Sequence, residues 1–231
     1  MKTINKMCLK NFFLEMTILF AVLFYSFHNI EITSGIDCYY LYKTIFYRNI
    51  VLCIIMPLWF LLLSNIDEFY YNYLILLKFR DIRQWLNEKI KIMASATFIY
   101  VLTLNILVLS VIVYLRLEVH LDFVIYMATG FFLQYIGFLI LGIFSTFLFL
   151  KLNNVYSSYG GTYFLLVFLM GVSAKLNLGF LDLLNTMYLS STISINFKQD
   201  LQLSWMCFIF IIIYKLSVSV GRKEDKFWNT K

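Results

Sequence analysis

Long uncharged runs alternate with short charged ones along this chain. Residues 49–66, 92–115, 123–150 and 152–174 contain no Asp, Glu, Lys or Arg. A helix rises about 1.5 Å per residue, so roughly 20 apolar residues cross a hydrocarbon core of about 30 Å, and each run is read as a span. Two further stretches, Asn11–Phe27 and Leu201–Val220, hold Glu15 and Lys215 near one end. A long side chain placed there reaches the headgroups. The pattern predicts an all-α polytopic membrane protein. Its six transmembrane helices are expected at 11–28, 49–66, 92–115, 123–150, 160–180 and 201–220, in a single transmembrane domain covering 1–231.

Composition agrees with lipid as the solvent. The chain is 61% hydrophobic and 14% charged, with a mean hydropathy of +0.80, whereas soluble domains run at roughly 45–50% apolar and about 25% charged. The net charge of +6 does not point to nucleic acid, because the basic residues sit at the ends of apolar runs. With both termini inside, 14 of the 19 Lys and Arg residues are cytoplasmic: Lys2, Lys6, Lys10, Lys78, Arg80, Arg83, Lys89, Lys91, Lys151, Lys215, Arg222, Lys223, Lys226 and Lys231. Lys43, Arg48, Arg116, Lys175 and Lys198 fall outside or near the outer ends. That asymmetry sets the expected orientation.

The start, MKTINKMCLKNFF, resembles the basic region of a signal peptide, but no small-x-small cleavage site follows Phe27, so an uncleaved first span is expected. Outer segments are placed near 29–48, 116–122 and 176–200, and inner ones near 66–91 and 151–159. The stretch GFLDLLNTMYLSSTISINF is too apolar for a solvated loop and is expected to lie in the interface or to re-enter the membrane.

Little in the chain suggests chemistry. Cys8, Cys38, Cys53 and Cys207 have no CxxC or Cys/His spacing, and His28 and His120 belong to no metal-binding pattern. No catalytic, cofactor or metal site is assigned. GxxxxGK[ST] and GxGxxG are absent, so any nucleotide energy would have to come from another subunit. No ionisable residue falls near the middle of a span, where one would mark function. Gly130, Gln134, Gly137 and Gly142 are read as close packing within the bundle, and Pro57 as a kink in the second span.

One segment stands apart. Asn72–Ile92, NYLILLKFRDIRQWLNEKIKI, carries seven charged side chains in 21 residues. Ile66, Phe69, Tyr70, Tyr73, Leu74 and Leu77 form one apolar helical face, and Ile82, Trp85, Leu86 and Ile90 form a second after a break at Lys78–Asp81. Two short helices are therefore expected to meet at KFRD, with Asp81 capping the second. Lys78, Arg80, Arg83, Glu88 and Lys89 would face the cytoplasm while the apolar face lies on the membrane boundary. Anchoring to anionic lipid is the plainer role for such a segment.

A chain of six helices with a basic amphipathic segment between the second and third spans, ending in KFRDIRQWLNEK, resembles the ABC-2 type permeases of bacterial ABC exporters. In particular it looks like the small permeases of Gram-positive bacteria that handle antimicrobial or amphipathic peptides. The resemblance implies that 67–91 is an amphipathic coupling helix seated on a cytoplasmic ATPase, with the contact at Lys78, Phe79, Arg80, Asp81, Arg83, Gln84 and Trp85. Lys151 to Tyr159, with the polar turn NNVYSSYGG, is a secondary contact candidate. The resemblance further implies a bacterial cell membrane, two ATPase subunits as partners, and a second permease, identical or homologous. The expected cargo is a hydrophobic or amphipathic peptide such as a bacteriocin, a lantibiotic or a cytolytic peptide. The alternatives are an unpowered membrane-binding or immunity protein, a vitamin-capturing importer component and, third, a polytopic membrane enzyme.

Overall fold

A computed structural model describes residues 37–70, 79, 81–176, 182–188 and 197–223, together with the helical positions Thr17 and Ala21. The rest of the first expected span, 11–28, lies outside the described residues, as do Lys78 and Arg80. Among the described residues all regular structure is helical. In chain order it comprises α1 (Cys38–Ile45), α2 (Met56–Tyr70), α3 (Ile82–Tyr114), α4 (Leu121–Leu152), α5 (Val155–Leu176), α6 (Leu183–Met187) and α7 (Phe197–Lys223). A single turn, Arg48–Ile50, and a π-helical segment, Val51–Ile55, connect α1 to α2.

Four of these segments are long and apolar enough to cross a membrane: Cys38–Glu68, Ile82–Tyr114, Leu121–Leu152 and Val155–Leu176. A shorter apolar stretch, Ser204–Ser219, lies within α7. The class read from the sequence is therefore present, with four to five apolar helices among the described residues against the six expected.

The helices outrun the uncharged runs. The second expected span, 49–66, sits inside a nearly continuous helical path from Cys38 to Tyr70. That path starts where Asp37 caps α1 by accepting from the Tyr40 N–H at 2.6 Å. Lys43 is half-buried and Arg48 exposed; their charge limits how far the apolar stretch runs, not how far the helix does. The fifth span starts at Val155 rather than 160, and Gly160 and Gly161 are helical. The expected polar turn shrinks to Asn153 and Asn154. Asn153 takes the left-handed conformation (φ 52°, ψ 24°) that ends α4, a conformation Asn tolerates better than most side chains.

Pro57 marks a rearranged helix. Lacking an N–H, it cannot continue the backbone ladder, and the turn before it widens so that the Met56 N–H reaches back to the Val51 carbonyl. Neighbouring spans supply donors to the loosened carbonyls. The Tyr100 hydroxyl donates to the Ile55 carbonyl at 2.7 Å, and the Tyr163 hydroxyl to that of Leu52 at 3.3 Å. Hydrocarbon offers no substitute partner, so such tyrosines are what makes a proline tolerable there.

α4 is the central helix, packed against α3, α5 and α7, and it is the most deeply buried of the four. Its glycines admit neighbours closely. A Cβ on Gly142 would collide with the Met93 sulfur and stand 2.9 Å from the Trp59 ring, and one on Gly137 would collide with Met187 Cγ. Met187 belongs to α6, a short helix within the segment expected to lie in the interface or re-enter. Leu184, Met187 and Tyr188 are buried, and Met187 reaches Gly137 at the midpoint of α4. α6 is thus packed against the interior of the bundle rather than solvated. Gln134 links three elements: its amide donates to the Tyr42 hydroxyl at 2.8 Å, and its carbonyl oxygen accepts from Asn105 at 3.1 Å.

Candidate functional site

The ends of α2, α3, α4 and α5 at Tyr70, Ile82, Leu152 and Val155 gather on one side of the bundle, here called the basic end for Arg83, Lys89, Lys91 and Lys151. The expected coupling segment lies there. Asp81 caps α3 as expected, its carboxylate accepting from the Gln84 N–H at 2.6 Å. The capped helix is not a separate short element. It runs for 33 residues, Ile82–Tyr114, through the third span without a break. KIKIMASATF, next to the charged stretch, holds no Gly or Pro to stop it.

The positions assigned to the site separate into two groups. Asp81, Arg83 and Gln84 are exposed at the head of α3. Phe79 is half-buried, its ring centroid 6.5 Å from that of Tyr70. Trp85 faces inward at 1% exposure, and its indole N–H donates to the Tyr70 carbonyl at 3.1 Å. It closes the end of α2 rather than offering a surface. Lys78 and Arg80 lie outside the described residues.

The expectation for Lys89 is overturned. Instead of facing the cytoplasm it is buried at 1% exposure, in helical phase with Ile82, Trp85, Leu86 and Met93. Its ammonium lies 2.6 Å from Asp67 Oδ1 on α2, and both side chains are almost fully enclosed. The second carboxylate oxygen accepts from the Tyr159 hydroxyl of α5 at 2.5 Å. The indole ring of Trp85 stands 5.5 Å from the ammonium, within cation–π range. Enclosing two charges is costly, and close pairing reinforced by a further hydrogen bond to the carboxylate is what permits it. Three spans thus meet at one ion pair.

Asp67, Lys89 and Tyr159 were not assigned together from the sequence, although a signal was there. Lys89 is four residues after Trp85 and three after Leu86, on the apolar side of its own helix. A cation in that phase requires a buried counter-charge, and Asp67, one turn past Leu63, has the matching phase on α2.

The remaining neighbours are polar and open. Lys91 pairs with Glu88 at 2.6 Å on the exposed side of α3, with 70% of the lysine side chain accessible. A shallow groove between α3 and α7 is lined by Gln84, Asn87, Lys91, Phe210 and Tyr214, and the Tyr214 hydroxyl donates to Asn87 Oδ1 at 2.7 Å across it. In the secondary candidate segment, Lys151 and Tyr156 are exposed while Tyr159 is committed to Asp67. Among the described residues no cluster of three or more His, Cys, Asp or Glu side chains could hold a metal.

Fold and site together define a multi-pass, all-α membrane protein with a buried ion pair at its basic end. No family model, curated protein or solved structure matches the chain.

Proposed function

We propose that this chain is the transmembrane permease subunit of an ATP-driven exporter, working in a bacterial cell membrane with its termini in the cytoplasm. In this reading the basic end is cytoplasmic, and an ATPase subunit grips the head of α3 through Asp81, Arg83 and Gln84, with Lys78, Phe79 and Arg80 alongside. Trp85 contributes from within, by fixing that head against α2. A second permease, identical or homologous, completes the path, and the cargo is a hydrophobic or amphipathic peptide.

One observation carries the reading: the exposed head of α3 is continuous with the span itself. A displacement at Arg83 is delivered along a single rod of 33 residues with no joint to absorb it. ATP binding would draw two ATPases together, tilt the rods and exchange states that differ in affinity for cargo. Only such a difference in affinity can drive net movement.

The test is to purify the tagged chain from its native membrane and measure ATP hydrolysis in the eluate. An ATPase subunit is expected to accompany the wild-type chain and to be lost from the variant R83A/Q84A, which still elutes as a folded protein. Absence of ATPase from the wild-type eluate sinks the proposal.

A further inference from the structure

The head of α3 alternates sharply in environment: Ile82 is buried, Arg83 and Gln84 are exposed, and Trp85 and Leu86 are buried again. The rotational phase of this head decides which of these side chains meets water. Apolar burial alone fixes that phase weakly. Ile90, half-buried, and Ile92, exposed, are apolar residues outside the inward stripe, so a turned helix would still find apolar side chains to bury.

Lys89 removes the ambiguity. An ammonium inside an apolar contact layer is stable only opposite its counter-ion, and Asp67 sits at one place on α2. Tyr159 in turn holds one carboxylate oxygen from α5, so the other points at Lys89. The charged groups on the same end of α3, Asp81, Arg83, Glu88 and Lys91, are all on its solvent-accessible side, away from the face that Lys89 occupies.

We propose that Asp67 and Tyr159 are positioning residues that set the rotation of the α3 head through Lys89, and thereby select Arg83 and Gln84 as the side chains presented to the partner. This rests on the reading of that head as an ATPase contact. Without the carboxylate, the buried ammonium would draw the helix around until it reached water. Trp85 would leave its seat on the Tyr70 carbonyl, and Arg83 would turn away from the surface it now occupies.

Lysine acylation in nanodiscs, using a water-borne amine reagent and peptide mapping, tests this on the chain alone. Lys91 serves as the internal reference, because 70% of its side chain is already exposed. In the wild type, Lys91 is expected to be labelled and Lys89 protected. In D67N, Lys89 labelling should rise to the level of Lys91, and Trp85, as the sole tryptophan, should become accessible to iodide quenching. The double variant D67N/K89M should restore the shielding of Trp85, because no ammonium remains to be hydrated. Y159F, which keeps the carboxylate and is the milder change should D67N fail to fold, should raise Lys89 labelling part of the way. Protection of Lys89 in both D67N and Y159F at the wild-type level overturns the proposal. Co-purification of the ATPase is scored separately: its absence from the wild type removes the exporter reading but leaves the labelling result standing, whereas its retention by a D67N chain with exposed Lys89 refutes the selection of Arg83 and Gln84.

Discussion

Individual side chains in this bundle are constrained by what hydrocarbon cannot supply. Water would satisfy Gln134 anywhere on the surface of a soluble protein; here it must bond Tyr42 and Asn105. Q134L is therefore expected to destabilise the folded chain by roughly 1–3 kcal/mol, the cost of stranding a buried polar partner, read as an earlier onset of aggregation in a thermal ramp in detergent. A similar logic separates the two ways of disturbing the ion pair. Removing Asp67 alone strands the ammonium, and keeping it enclosed without a partner would cost roughly 3–5 kcal/mol, more than the seat of the α3 head can offset, so it moves to water at the expense of that packing; removing the ammonium as well relieves most of this cost. The difference in thermal onset between D67N and D67N/K89M measures this. At this scale the sequence was legible where spacing alone speaks, as with the Asp81 cap. It was not legible for Lys89, because charge sorted it to the solvent side while its true neighbour was 22 positions away in the chain.

Among the helices, the features that matter are starts, stops and interruptions. D81A removes the cap of α3 and should cost about 1 kcal/mol, without moving the far end of the rod; chemical denaturation in mixed micelles reads the loss. P57A restores a backbone donor to the widened turn before α2. Exchange of the amides that bond the Val51–Ile55 carbonyls should slow, and the hydroxyls of Tyr100 and Tyr163 should lose their role as substitute donors. The uncharged runs located these elements well at the scale of whole spans but misjudged their ends. The second run starts eleven residues after Cys38, and the charged stretch from Ile82 to Lys91 is helical throughout, since charge marks the edge of the hydrocarbon and says nothing of whether the backbone keeps turning. Of the two short helices expected to meet at KFRD, the second differs for that reason: α3 does begin just after Asp81, but it is already the third span, while residues 71–78 lie outside the described residues.

For the whole molecule, the open quantity is direction. The orientation proposed from the bias of basic residues puts Gln84 in the cytoplasm and the 115–120 connection outside. Single cysteines introduced by Q84C and V119C into a chain lacking its own should therefore be modified from opposite faces in intact cells, Val119 being exposed. Labelling of Q84C from outside would invert the assignment and remove the ATPase from reach. The all-α bundle itself was readable from hydropathy because lipid allows few alternatives. The packing order was not: that α4 stands at the centre is seen in Gly137 and Gly142 receiving Met187, Met93 and Trp59, contacts between residues far apart in the chain that no local pattern encodes.

The link between α4 and α5 also bears on how the protein is made. With only Asn153 and Asn154 between Leu152 and Val155, neither helix can leave the ribosome-bound insertion machinery and settle in lipid while the other remains far off. The two-residue link holds the adjoining ends of the two helices together from the moment α5 forms. Among the described residues, the most buried of the long helices thus settles in the bilayer with its end already tethered to its own successor.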